Sequence, residues 1–357
     1  MMLMEDLSRI IQKLVSTKEL NDDEIIYTIS LILQGKVSEA AIASFLVALR
    51  MKGETAHELM VLMQTIKKYA IRITPNIDGF LIDTCGTGGG RINTFNISTA
   101  SAIIASSAGA KVAKHGNRST SGVCGSADFM EYIGLNLECP IADIVEAIEQ
   151  TGMGFLYAPK FHPAMQNVAS ARRTIGIRTV FNIIGPLCNP CTNLTGQLIG
   201  APEPKIIETL ALALQESDLE DIMLVNPKDG LDELSNTCEN DITWISRSKI
   251  KRVSFHPREV GIELTKLENL MVDSKEGSIR DTLQVIYGVA DKHKQDIAIL
   301  NASAALVIGK ESANFREGVE LAREAVSDGR AQKQLSKYIQ RCGRKEILMD
   351  AEKKFLQ

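Results

Sequence analysis

The chain lacks any long apolar run. Its longest apolar stretches, such as residues 100–105, fall far short of the roughly 20 residues a membrane-spanning helix needs, so no membrane partner is expected. The N-terminus meets Glu5 and Asp6 at once without an unbroken apolar stretch, and no signal peptide is expected there. No basic tail or dense Lys/Arg patch occurs, and the net charge is −4, so electrostatics does not propose nucleic acid as a partner. Disulfide-like spacing is also missing. The seven cysteines are an odd number, which fits a reducing cytoplasm. Cys188 and Cys191 form a CxxC, but no second pair or histidine follows. They read as a loop with two unpaired thiols, with metal binding as the alternative. Internal repeats and low-complexity linkers are absent. What remains is ordinary globular composition, 45% hydrophobic and 24% charged over 357 residues, enough for a sizeable core and about two domains.

Residues 1–75 read as helices. Asn21 with Glu24 makes a capped start and Gly35 a stop, with Ile25, Ile26, Ile29 and Leu33 at helical spacing. Ser38 opens a second run ending near Gly53. Thr55 and Glu58 form a capping box before a third, and His57 within that box reads as a first-turn surface residue. After Pro75 the texture changes. Residues 80–83 read as a buried strand feeding a loop, Ser98 as the N-cap of a small-residue helix through 108, and 111–113 as another strand. Helices are expected at 126–133, stopped by Gly134, and at 140–149, 163–173 and 206–214. Residues 155–157 are apolar again. Residues 222–225 are a strong strand, and Trp244, Ile245 and Val253 mark late ones. Helix-like runs follow at 279–290, 297–308 and 314–327. Strands alternating with helices imply an α/β fold with a mostly parallel central sheet flanked by helices. The expected division is a small helical domain over 1–75 and a large α/β domain over 76–357.

Four constellations carry chemistry. The first runs Asp83-Thr-Cys-Gly86-Thr87-Gly88-Gly89-Gly90, followed by Asn93, Asn96, Ser98 and Thr99. Glycines after a strand fold tightly and present bare N–H groups that cradle an anion, and a helix N-terminus at Ser98 and Thr99 favours phosphate. The loop is neither a Walker loop nor a dinucleotide fingerprint; the alternative is a flexible turn. The second, Lys114-His115-Gly116-Asn117-Arg118-Ser119, is a dense donor cluster suited to an anionic substrate, or else an exposed loop. The third is Gly230-Leu-Asp232-Glu233, where adjacent carboxylates suit Mg²⁺ completed by substrate phosphates and water; a solvated acidic turn is the alternative. The fourth joins Tyr157, Lys160 and His162 to Arg172, Arg173 and Gly185. An aromatic acid would want an arginine for its carboxylate. Structural roles for His162 and Arg173 remain open. His162 and Arg172 stand ten residues apart, roughly 15 Å along an unbroken helix.

Together these segments resemble the anthranilate phosphoribosyltransferase family of tryptophan biosynthesis. The matching stretches are DTCGTGGG…NTFNIST, KHGNRS, CGSAD, APKFHPAM, RRTIGIRTVFNIIGPLCNP and GLDELS, in the family's order over most of the chain. The resemblance implies transfer of the phosphoribosyl group of phosphoribosyl pyrophosphate to the amino group of anthranilate, with Mg²⁺. It assigns Gly86, Thr87, Gly89, Asn96, Ser98, Thr99, Lys114 and Ser126 to phosphoribosyl pyrophosphate. It assigns His115, Asn117, Tyr157, His162, Arg172 and Gly185 to anthranilate, and Ser98, Asp232 and Glu233 to magnesium. It further implies a homodimer joined through the helical domain, which takes back part of the chain near 165–190.

Two departures stand out. The family loop usually reads GTGGD, whereas here Gly90 and Arg91 follow, removing a carboxylate and adding a cation; altered magnesium dependence is the expected result. Gly122 and Val123 stand where the family often has Ser-Lys. Two other readings compete. Pyrimidine nucleoside phosphorylases share a KHGNR-like segment but carry a Lys-His-Ser-Thr-Gly-Gly type of loop, unlike Asp83–Gly88. A non-catalytic nucleic-acid-binding paralogue would lose the carboxylate pair and gain a basic groove.

Overall fold

The computed structural model describes residues 2–88, 92–119 and 122–356, with side chains from Asp6 onward. Four helices open the chain: α1 (Met2–Val15), α2 (Asp22–Leu33), α3 (Glu39–Lys52) and α4 (Ala56–Lys68). Their boundaries follow local chemistry. Asn21 and Thr55 each accept the third backbone N–H, and Glu24 and Glu58 reach back to the cap, so orphan donors are satisfied from both sides. Gly35 ends the α2 turn in the left-handed region that glycine favours. His57 is exposed, with Nε2 2.6 Å from Asp22 Oδ1.

The rest alternates strand and helix: β1 (Leu81–Gly86), α5 (Ile97–Ser107), β2 (Lys111–Gly116), α6 (Ser126–Tyr132), α7 (Ile141–Thr151), β3 (Met153–Tyr157), α8 (Ala158–Phe161), α9 (Gln166–Ile175), α10 (Val180–Ile184), β4 (Gly196–Gly200), α11 (Pro204–Leu214), β5 (Asp221–Pro227), β6 (Asn240–Ser246), β7 (Lys249–Phe255), α12 (Lys275–Ile286), α13 (Lys292–Ile308), α14 (Phe315–Ser327), α15 (Arg330–Cys342) and α16 (Lys345–Phe355). The seven strands form one sheet in the order β3-β2-β1-β4-β5-β6-β7. The first five are parallel, and β6 and β7 add an antiparallel edge. The chain is thus an α/β protein with a small N-terminal helical domain and a larger domain built on a mostly parallel sheet.

Alternation along the strands divides the interior in two. Ile222 and Leu224 of β5 face one core, while Met223 and Val225 face the other. One core holds α5 and the C-terminal helices, with Ile103, Leu300 and Tyr338 fully enclosed. The other joins the sheet's opposite face to Ile29, Phe45 and Leu62 of the helical layer and to Val168, Phe181 and Leu210 from the middle of the chain. α9 is tied to the opening helices by polar contacts as well. Asn167 donates to the Leu33 carbonyl at 2.8 Å, and Ser170 and Thr174 donate to Glu39 at 3.0 and 2.8 Å.

Several local expectations are corrected. The stretch 163–173 is not one helix: a 3₁₀ turn at Pro163–Met165 precedes α9, so the spacing of an unbroken helix does not apply to His162 and Arg172. Ser98 is not the N-cap of α5; Asn96 occupies that position, and Ser98 lies in the first turn with its hydroxyl turned to β1. β1 continues through Thr84, Cys85 and Gly86 because β4 pairs along its second edge, Thr84 opposite Leu198 and Gly86 opposite Gly200. β4 itself, Gly-Gln-Leu-Ile-Gly, carries too little alternation to read as a strand, yet it is buried throughout.

Candidate active site

Strand order places the site. From β1 the chain moves outward to β2 and β3, then returns to build β4 on the other side of β1. Beyond the C-terminal ends of β1 and β4 the connections diverge, which is where open parallel sheets leave a ligand crevice. Thr84, Cys85, Ser98, Leu198, Gly200, Asp232 and Glu233 line a small cavity there. The two strand ends are locked together, since the Thr87 N–H donates to the Gly200 carbonyl at 2.8 Å.

The acidic turn closes against this pair. The Gly88 N–H donates to Asp232 Oδ2 at 2.7 Å. A Cβ on Gly86 would lie 2.1 Å from the same oxygen, and one on Gly200 would lie 1.6 Å from the Asp232 carbonyl oxygen. Only glycine lets the acidic turn approach so closely. Glu233 is half-buried as a residue, but its Oε2 is enclosed and, among the described residues, without a hydrogen-bond partner. Burial first, then the neighbouring Asp232, raises its pKa well above the ordinary carboxylate range, against the attraction of Lys114.

Lys114 stands in β2 and is buried, not in an exposed loop. Its Nζ donates to the Thr84 carbonyl at 2.6 Å and to Ser98 Oγ at 2.8 Å. Ser98 Oγ in turn donates to the Thr84 carbonyl at 3.1 Å. Burial lowers the Lys114 pKa and raises that of Asp83, in each case outweighing the attraction between the two. Among the described residues, no three His, Cys, Asp or Glu side chains gather into a metal cage. A paired Asp and Glu with one enclosed oxygen unsatisfied, and a serine hydroxyl on the same cavity, nevertheless fit a hard divalent cation. Mg²⁺ characteristically takes one or two carboxylates and completes its shell with phosphate and water. Asp232, Glu233 and Ser98 are the residues that would hold it.

The remaining predicted residues lie on several elements around the ends of β1, β2 and β3. Asn96 donates to Ser278 Oγ at 3.2 Å, with its own N–H on Thr282 Oγ1 at 3.0 Å. Thr99 is buried in the first turn of α5. Ser126 starts α6 and donates to the Asn117 carbonyl at 3.3 Å. Asn117 is exposed and turns its Oδ1 to the Arg118 N–H at 2.8 Å. Tyr157 ends β3, with the Arg118 guanidinium 5.9 Å from its ring centroid. His115 and His162 meet ring to ring at 5.2 Å. His162 Nε2 sits 2.9 Å from the Cys188 carbonyl; that oxygen can only accept, so the proton is assigned to Nε2. Burial, followed by His162, lowers the His115 pKa to about 3; burial also lowers that of His162. Gly185 has open space where a side chain would stand. Arg172 is half-buried, 5.8 Å from the Phe181 ring centroid. Gly89 and Gly90, with Arg91, lie outside the described residues, as does Ser121; Gly122 accepts Ser119 Oγ at 2.7 Å. Cys188 and Cys191 are free buried thiols, and burial pushes Cys188 up to about 12.

Four residues escaped the sequence reading. Asp83 is fully buried in β1, within the stretch expected as a buried strand, and its unforeseen partners are the His115 N–H at 3.1 Å, Asn189 Nδ2 at 3.0 Å and Gln197 Nε2 at 3.2 Å, from all of which it accepts. Gln197 also donates to the Pro186 carbonyl at 2.6 Å, so one carboxylate ties β1, β2 and β4 to the segment carrying Gly185. The fourth is Arg178, which donates to the Thr87 carbonyl at 3.2 Å. Buried polar residues in apolar stretches were the available sign.

Comparison with known proteins identifies the fold and the family. The helical bundle domain of a glycosyl transferase family matches residues 8–70, and that family's a/b domain matches residues 78–332. The anthranilate phosphoribosyltransferase of Acetivibrio thermocellus is 40% identical over 334 residues, 94% of this chain and 96% of the relative. The chain belongs to the anthranilate phosphoribosyltransferase family. Another member, from Nitrosopumilus maritimus, is 37% identical over 94% of this chain and 97% of its own. The family's crystal structure from Thermus thermophilus has a TM-score of 0.85 at 33% identity, covering 92% of this chain and 98% of that one. The Saccharomyces cerevisiae member, solved with phosphoribosyl pyrophosphate and Mg, shares the fold at a TM-score of 0.85 and 23% identity.

Proposed function

We propose that the chain transfers the phosphoribosyl group of phosphoribosyl pyrophosphate to the amino group of anthranilate, releasing pyrophosphate. The observation that carries this is the enclosed Glu233 Oε2, unsatisfied among the described residues, beside Asp232, which the Gly88 N–H holds against the glycine loop at the β1/β4 crevice. Such a pair needs a cation, and the loop beside it suits phosphate. Magnesium, when bound, would offset the charge that develops on the departing pyrophosphate.

The chain's own residues do the rest. Lys114 holds Ser98 and the end of β1 in place, fixing the floor on which the sugar phosphate lies. His115 and His162 are neutral at physiological pH, so this wall offers no strong acid or base. Catalysis then rests on placement and electrostatics, since the aromatic amine is already a modest nucleophile. Arg172 supplies a cation for the anthranilate carboxylate. Gly86, Thr87, Gly89, Asn96, Ser98, Thr99, Lys114 and Ser126 serve phosphoribosyl pyrophosphate. His115, Asn117, Tyr157, His162, Arg172 and Gly185 serve anthranilate.

The same reading divides the chain into a helical domain over 1–75, with a return near 165–190, and an α/β domain over 76–357. It includes a cytoplasmic homodimer joined through the helical domain; exposed Val15 and Met51 on α1 and α3 suit a covered surface, and sedimentation tests it. The activity is tested by following anthranilate fluorescence with phosphoribosyl pyrophosphate, with and without Mg²⁺. Consumption that needs both is the expected result; none from folded protein would overturn the reading.

A further inference from the structure

We propose that Arg178 binds the diphosphate end of the sugar substrate, an inference that rests on the phosphoribosyl-transfer reading above. Arg178 lies between α9 and α10, which pack on the helical layer, and its guanidinium crosses to the loop at the end of β1. Nη2 donates to the Thr87 carbonyl at 3.2 Å. Nη1 is enclosed and has no hydrogen-bond partner among the described residues. An enclosed donor on a permanent cation is unfavourable unless something accepts from it.

The glycine loop supplies the second observation. Its first two backbone donors are already used, Thr87 N–H by the Gly200 carbonyl and Gly88 N–H by Asp232. An anion at this end of the loop therefore needs a donor from elsewhere. Thr87 Oγ1, on the residue that Arg178 holds, is likewise enclosed without a partner among the described residues. A guanidinium N–H and a hydroxyl, both unsatisfied and carried on two residues joined by one hydrogen bond, form a recognition pair for an oxyanion. The substrates offer two oxyanions, the diphosphate and the anthranilate carboxylate. The bond to Thr87 of the phosphate loop selects the diphosphate.

The test compares wild type with Arg178→Gln. Binding of inorganic pyrophosphate with Mg²⁺ is measured by calorimetry, the two Michaelis constants by fluorescence, and the unfolding midpoint by heating. Pyrophosphate affinity and the KM for phosphoribosyl pyrophosphate are each expected to weaken about tenfold or more, with the KM for anthranilate and the midpoint unchanged. Unchanged pyrophosphate affinity overturns the assignment, as does a rise confined to the anthranilate KM. If the glutamine variant does not fold, Arg178→Lys is read by the same titration. It keeps the charge but lacks the fork that serves Thr87 and an oxyanion together, so weakened pyrophosphate binding sustains the proposal and wild-type binding overturns it. Wild-type protein that binds pyrophosphate but consumes no anthranilate would sink the transfer reading and leave this titration standing.

Discussion

Gly86 and Asp232 are packed so tightly that a single methyl group on the glycine would lie 2.1 Å from the aspartate Oδ2. The acidic turn can give way only by leaving Gly88, whose N–H it holds. Gly86→Ala is therefore expected to displace the carboxylate pair and lower turnover by about 10²-fold. Steady-state rates over a magnesium titration check this, and Gly200→Ala should behave alike; near-normal turnover in both would show that the close approach is dispensable.

Glu233→Ala removes a carboxylate whose enclosed Oε2 has no hydrogen-bond partner among the described residues. Turnover should fall by about two to three orders of magnitude, given what a bound metal contributes to charge stabilisation. Wild-type rates at saturating magnesium would remove Glu233 from the site.

Arg172→Ala should raise the KM for anthranilate about tenfold, the size of one lost charged contact, while that for phosphoribosyl pyrophosphate stays near wild type. An unchanged anthranilate constant would count against the carboxylate role.

Acid should destabilise the protein through His115. The unfolded histidine takes up its proton near 6.5, the folded one only at about 3. Stability from the neutral ring is thus fully present above 6.5 and is lost as pH falls toward 3. His162 acts in the same direction. Unfolding midpoints measured from pH 7 to 4.5 should drop less steeply in His115→Gln than in wild type; equal slopes would contradict the burial argument.

In the helical domain, Glu58 is buried and accepts from Lys52 Nζ at 2.7 Å, the Leu20 N–H at 2.9 Å and the Thr55 N–H at 2.9 Å. Glu58→Ala would strand a buried ammonium and two backbone donors. Chemical denaturation should record a loss of about 3–5 kcal/mol; a change below about 1 kcal/mol, the scale of exposed pairs, would mean that water replaces the carboxylate.

Much of this was legible locally. The caps at Asn21 and Thr55, the stop at Gly35 and the glycine run after β1 depend on neighbours in sequence, and each left its mark there. The acids at 232 and 233 were readable as residues, but their proximity to Gly86 was not, because pairing between β1 and β4 creates it. β4 was overlooked because a fully buried parallel strand shows no alternation and is flanked by its own glycines. Asp83 was legible as the end of a buried strand but its partners were not: its three donors come from β2, the 189 region and β4, and only tertiary packing gathers them.

The central place of β1 also has a consequence for the nascent chain. β1 is made before any other strand, and β2 soon covers one edge, but the opposite edge stays open until Gly196–Gly200 has left the ribosome. Over that interval an apolar strand with unpaired amides is exposed to its neighbours on the polysome, the condition under which strands associate wrongly. Slowed translation between residues 86 and 196 should therefore lower soluble yield more than the same delay placed after residue 255.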